Sequence, residues 1–371
     1  MHMNEQYCRL EKKAKQILVS NVYEPNQYLW GSWRMMSPCK NHFEGIWNWD
    51  SAFHAVGMLY IDEELAKEQI LGFLQFQKED GLLPDVIFED GRIEGRYTKP
   101  PVMAACAWRV YEQTKDADFI RSVYPAFVKN ENFWATQRYD DGLFYFDSSW
   151  EGCKTEADHR TLVGWESGMD DSPRWDVSPE NYWAIDANCY MVTMYRALAN
   201  MATLLGEDGS CWSEKAKTLI ENIEARLWDA EHQVYVDRNR KTGAFSDVYT
   251  PCSFLPLYVG FAPKDRAEAM HRIALKHFMP GMPTVAYDHP TYCDTYWRGL
   301  CWLNVAYFAA KGLKDYGYAD TANTIRDTIL GWVDQDGDLI HENYESLNGD
   351  PRGAPRFCWS CTFVLEFIHN F

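Results

Sequence analysis

The chain has no run of lysines or arginines, no long apolar stretch and no paired-cysteine metal motif, and each absence removes a class of function. With 36 Lys and Arg against 54 Asp and Glu, the net charge is −18, which disfavours nucleic acid and anionic membranes as partners. No segment reaches the length of an apolar transmembrane span. The start, Met1-His2-Met3-Asn4-Glu5-Gln6, lacks the apolar core of a signal peptide. The 11 cysteines are odd in number and irregularly spaced, which fits reduced thiols better than a disulfide framework and points to a cytoplasmic location. The one C-x-x-C, Cys358 to Cys361, lies in an apolar C-terminal segment without a βαβ pattern, so neither a redox nor a zinc role is expected. A Gly-rich phosphate loop, a nucleotide fingerprint, an HExxH pair and a GxSxG elbow are all missing. No cofactor and no metal is therefore expected.

What is present is aromatic surface and helical periodicity. Phe, Trp and Tyr make up 15 % of the chain, including 16 Trp and 22 Tyr, and such faces either fill cores or stack on sugar rings. Amphipathic segments at 4–20, 63–78, 116–137, 213–228, 264–277 and 316–333 alternate with apolar ones at 50–60, 100–113, 183–205, 249–260, 296–312 and 358–369. A ring of buried helices inside a ring of half-exposed ones produces this alternation. The expected fold is all-α, an (α/α)6 barrel formed by residues 1–371 as one catalytic domain. The links after apolar helices are short, as at Ile61-Asp62 and Ala262-Pro263, whereas those before them are long: 21–49, 79–99, 138–182, 229–248, 278–295 and 334–357. If the helices alternate up and down, every long loop lies on one face and forms a lined mouth. Short alternating runs at 142–147 and 233–237 are read as small β-hairpins within these loops.

The distinctive residues fall in the long loops. The richest stretch runs from Trp165 to Trp175, with Glu166, Gly168, Asp170, Asp171 and Arg174 between them; Gly168, Ser172 and Pro173 mark it as a loop. Trp47, Trp49 and Asp50 close the first loop, and Asp80-Gly-Leu-Leu-Pro84 and Tyr97-Thr-Lys99 lie in the second. Tyr296, Trp297, Arg298, Gly299 and Trp302 follow the fifth, and His341-Glu342-Asn-Tyr344 and Phe357-Cys-Trp359-Ser lie in or after the sixth. Any one of these has a plain structural reading, as a core tryptophan or a loop ion pair. Their convergence on one face favours a sugar pocket. Carboxylates with aromatics in a cleft suit glycoside hydrolysis, one acid protonating the leaving oxygen and a second carboxylate activating water or attacking carbon.

These motifs, in this order, resemble glycoside hydrolase family 63 and the related trehalases, with bacterial mannosylglycerate and glucosylglycerate hydrolases the nearest kind. The likeness runs from about residue 44 to the C-terminus. Two positions depart from it: Leu300 stands where the family usually has proline, and Lys99 where related enzymes often have glutamine. The chain is also short for the family. The resemblance implies an (α/α)6 barrel and inverting hydrolysis of an α-linked glucoside or mannoside. It further implies Asp170 as general acid and Glu342 as general base. Trp47, Trp49, Asp50, Lys99, Trp165, Glu166, Gly168, Arg174, Tyr296, Trp297, Arg298, Gly299, Trp302 and Trp359 are expected at or beside the sugar. Inversion requires the two carboxyls about 6.5–9.5 Å apart, and Asp171 or Glu166 is expected to raise the pKa of Asp170. A small carbohydrate is the expected partner, and Arg174 and Lys99 are the mouth cations available to a glycerate. Two other classes are compatible with the barrel. One is a sugar epimerase using mouth histidines (His42, His54 or His341); the other is a sugar-binding protein without turnover.

Overall fold

The computed structural model describes residues 5–147, 149 and 152–371; Asn4, expected in the first helix, lies outside them. Thirteen α-helices occur among the described residues. Six form an inner set: α2 (Asn48–Met58), α4 (Met103–Thr114), α7 (Ile185–Leu204), α9 (Leu255–Val259), α11 (Leu303–Asp315) and α13 (Cys358–His369). Each packs against the next, and α13 returns to α2, so the ring is closed. The outer set is α1 (Glu5–Ser20), α3 (Glu63–Leu74), α5 (Ala117–Gln137), α8 (Ser210–Arg226), α10 (Lys264–His277) and α12 (Ala319–Gln335). The sequence separates the two rings by burial. Every residue of α2 is buried, whereas α8 buries only Trp212, Ala216, Leu219 and Ile223 on one stripe. The result is the six-hairpin (α/α)6 toroid, and the long loops meet at the N-terminal ends of the inner helices.

Several expected boundaries shift. The 249–260 segment is a 3-10 turn at Pro251–Phe254 followed by the short α9. Residues 296–298 form an isolated 3-10 turn, and α11 begins only at Leu303. The third loop contains a helix the sequence reading lacked, α6 (Glu156–Ser167), so Trp165, Glu166 and Ser167 form its last turn rather than a loop. A capping box starts it: the Thr155 side chain accepts from the Asp158 N–H while Asp158 accepts from the Thr155 N–H. Gly168 ends it at φ +73°, in the left-handed region that glycine adopts without strain. Short antiparallel pairs at 139–140/143–144 and 228–229/234–235 confirm the two small hairpins.

The chain then doubles back over α6. A Cβ on Gly164 would lie 2.0 Å from the Asp170 carbonyl oxygen, so only a residue without a side chain lets the segment carrying Asp170 pass so close. Arg174 anchors the far side of this turn. Its guanidinium is buried and binds Asp186 at the start of α7 (2.7 Å) and Asp237 in the fourth loop (2.8 Å).

Candidate active site

A small cavity of about 80 Å³ sits at the mouth of the barrel. Of the residues expected at the sugar, it is lined by Trp47, Trp49, Asp50, Lys99, Gly168, Asp170, Tyr296, Trp297, Trp302, Glu342 and Trp359, together with Pro38, Phe43 and Phe357. A larger recess of about 660 Å³ opens beside Phe76, Tyr97 and Arg138. It contains neither Asp170, Glu342 nor the tryptophan cluster, so the residues expected at the sugar gather in the smaller one.

The cavity wall is an aromatic cage. Trp297 and Trp302 stack face to face with centroids 3.8 Å apart and planes within 10°. Trp359 stands edge-on to Trp49 at 5.0 Å and to Trp302 at 5.5 Å. The buried Trp359 Nε1–H has no hydrogen-bond partner among the described residues. Gly168 is required here as well as at the helix end, because a Cβ would meet the Trp49 ring at 2.6 Å.

Asp170 and Glu342 are held separately. Asp170 accepts from the Tyr296 hydroxyl (3.2 Å) and lies 3.8 Å from Lys99 Nζ; its side chain is 29 % exposed through the mouth. Burial pushes its carboxyl up to about 6, opposed by Lys99 and the Tyr296 hydroxyl and assisted by Asp85 and Asp171. Glu342 is 5 % exposed and accepts from the Ala354 N–H at 2.9 Å. Burial pushes it up to about 7, opposed by that N–H and assisted by the charge of Asp170. Its backbone is clamped by Ser360, whose hydroxyl donates to the Glu342 carbonyl, and by the reciprocal hydrogen bonds of Tyr344 with Cys301. Asp171 differs from its neighbour: its Oδ1 accepts from the Trp297 N–H (2.9 Å), and Arg298 donates to its carbonyl. It is therefore tied to the protein rather than facing the cavity.

Five of the expected residues stand behind the wall. Glu166 is fully buried and binds Arg138 through both nitrogens of its fork. It also accepts from the Thr98 and Asp147 N–H groups, so it knits three loop segments rather than acting on the pKa of Asp170. Arg174 is locked between Asp186 and Asp237, and is not a mouth cation. Arg298 pairs with Asp176 at 2.5 Å. Gly299 packs where a Cβ would strike the Cys293 carbonyl. Trp165 packs at a tilt against Tyr97 (ring centroids 5.8 Å apart), and its carbonyl accepts from Lys99.

Sequence reasoning missed Asp85. It is buried, accepts from the Tyr97 hydroxyl at 3.0 Å and lies 3.5 Å from Lys99 Nζ. Its signal was weak, a lone acid after the Leu-Leu-Pro run. Burial alone would lower the Lys99 pKa, but Asp85, Asp170 and Asp50 outweigh it and hold the ammonium charged. The candidate histidines are elsewhere: His54 is fully buried, His341 Nδ1 binds Asp336 at 2.7 Å, and His42 lies beside Cys39. None lines the cavity, so the histidine pair of a histidine-dependent epimerase is not assembled there.

A family profile described as the mannosylglycerate hydrolase MGH1-like glycoside hydrolase domain matches residues 44–360. Mannosylglycerate hydrolase from Thermus thermophilus is 27 % identical over 86 % of this chain and 93 % of its own length. Glucosylglycerate hydrolase from Mycolicibacterium hassiacum is 22 % identical over 87 % and 91 %. The crystal structure of a glycoside hydrolase family 63 mannosylglycerate hydrolase from Thermus thermophilus, in complex with Tris and D-glycerate, superposes with a TM-score of 0.82 at 25 % identity. That match covers 98 % of this chain and all of the other.

Proposed function

The chain belongs to the mannosylglycerate hydrolase MGH1-like glycoside hydrolase family, and from that premise we propose that it hydrolyses an α-linked mannoside or glucoside of a small acceptor, a glycosyl-glycerate or disaccharide, with inversion at the anomeric carbon. The observation that carries this reading is two carboxyls, Asp170 and Glu342, in one aromatic cavity, both shifted towards neutrality. Asp170 gives its proton to the glycosidic oxygen as the carbon–oxygen bond breaks. Glu342 takes a proton from water as the water oxygen bonds to the anomeric carbon from the opposite face. The tryptophans hold the ring, and Asp50, Lys99 and Tyr296, which line the same cavity, read its hydroxyls. Trp165, Glu166, Arg174, Arg298 and Gly299 support that wall. We read residues 1–371 as one catalytic barrel. The free state of all eleven cysteines supports a reducing, cytoplasmic setting.

The test is hydrolysis of α-mannosylglycerate, α-glucosylglycerate and trehalose followed by proton NMR. From either glycosyl-glycerate the first-formed sugar should be the β-anomer, and from trehalose equal amounts of β- and α-glucose, the α-anomer being the departing unit. Release of the α-anomer alone, or no hydrolysis of any of the three, refutes the proposal.

A second reading reverses the two roles. It is favoured by the burial of Glu342, which is 5 % exposed and, like Asp170, pushed upward by that burial, so that it too can carry a proton. Glycosyl fluorides separate the two, because fluoride leaves without a proton. If Asp170 is the acid, Asp170→Asn retains fluoride hydrolysis while losing the natural substrate, and Glu342→Gln loses both. The opposite pattern assigns the acid to Glu342.

A further inference from the structure

Lys99 sits beside Asp170 without forming a close pair with it. The ammonium is 3.8 Å from Asp170 Oδ1, 3.5 Å from Asp85 Oδ1 and bonded to the Trp165 carbonyl. Asp85 and Lys99 are both at least nine-tenths buried, and the Tyr97 hydroxyl holds the other oxygen of Asp85. A lysine in a close pair with a carboxylate, at about 2.8 Å, would keep that carboxylate ionised. Here a second acid and a backbone carbonyl draw the cation back.

We propose that Asp85 and Lys99 are a positioning pair for Asp170: Asp85 restrains the ammonium so that Asp170 can carry a proton, and the ammonium stabilises the carboxylate that forms once the proton has left. This rests on the reading of Asp170 as the proton donor. The cation then acts where charge develops along the reaction, which is where a fixed charge accelerates it. Other groups also face Asp170. Tyr296 donates to it from the segment before α11, and Asp171 adjoins it. Glu342 senses its charge from the sixth loop and Tyr97 from the second, and Asp50 on α2 acts on Lys99. Of these, only Lys99 is a cation, and Asp85 carries the largest acidic influence on Asp170.

The titration of Asp170 can be followed by carbon-13 NMR of protein labelled at the aspartate carboxyls, with the signal assigned by its loss in Asp170→Asn. Asp85→Asn frees the lysine and should move the titration down by about one pH unit; Lys99→Met should move it up by about the same amount. The double variant, with both charges removed, should return it close to wild type. Thermal unfolding checks that each variant is folded, and Asp85→Glu, which keeps the charge, should keep the titration near wild type. A titration unmoved in both folded single variants, or moved the same way in both, overturns the proposal. The measurement needs no substrate, so it stands apart from the role assignment. If the titration moves as stated but Asp170→Asn loses glycosyl fluoride hydrolysis, the electrostatic pair is established and the proton-donor reading falls.

Discussion

The two carboxyls predict the shape and the height of the pH–rate profile together. The proposed mechanism needs Asp170 protonated and Glu342 ionised, so activity falls above the pKa of the acid and below that of the base. With the pair near 6 and 7, the singly protonated form peaks near pH 6.5, at about 60 % of the enzyme. The rate constant kcat/KM should fall about tenfold per unit on either side. The height follows from the same two groups, because only the fraction of enzyme that carries its single proton on Asp170 can react. The assay is kcat/KM on the preferred glycosyl-glycerate from pH 4.5 to 9, under conditions where chemistry limits the rate. Reversing the roles leaves the limbs in place, so the profile tests the pair and the fluoride experiment tests the assignment. A rate that stays flat from pH 6 to pH 9 would refute the argument, since no group titrating near neutrality would then need its proton.

Other consequences concern stability and local geometry. The Asp170 carboxyl is raised from about 3.9 in an unfolded chain to about 6. Its favourable contribution is therefore complete below pH 4 and is lost as pH rises through 6. Asp170→Asn should consequently be more stable than wild type at pH 8 by about 3 kcal/mol and indistinguishable at pH 4; urea unfolding at both values decides this, and equal stability at pH 8 rejects it. Arg174→Met strands Asp186 and Asp237 in the interior and should cost about 3–5 kcal/mol, measured the same way; a loss under 1 kcal/mol would mean that water reaches both acids. Gly168→Ala forces a side chain into a left-handed position and against Trp49, and should cost about 1–3 kcal/mol while raising KM more than it lowers kcat. A change in kcat alone would argue that Trp49 does not hold the substrate.

The rings of helices were legible because they are written in burial. An inner helix such as α2 has no polar face, an outer one such as α8 has a single apolar stripe, and the two patterns differ whatever surrounds them. The loops were legible in content but not in contact. Asp170 and Glu342 stood out through the motifs around them. Arg174 looked equally functional, and only the fold shows it clasped by Asp186 and Asp237, since a buried ion pair and a substrate contact use the same residue types. Helix α6 was missed because Gly168, Ser172 and Pro173 drew attention to its end; the Thr155–Asp158 capping box was the local sign that it begins upstream. Asp85 had only a weak sequence signature, because its meaning depends on Tyr97 and Lys99 folding back onto it.

The strip Tyr296–Cys301 touches both halves of the chemistry. At one end the Tyr296 hydroxyl, the Trp297 N–H and the Arg298 guanidinium grip Asp170 and Asp171; at the other, Cys301 pairs with Tyr344, two residues beyond Glu342. The strip therefore ties the segment that carries Asp170 to the segment that carries Glu342. A residue inserted or deleted within it would shift one carboxyl relative to the other without altering either side chain.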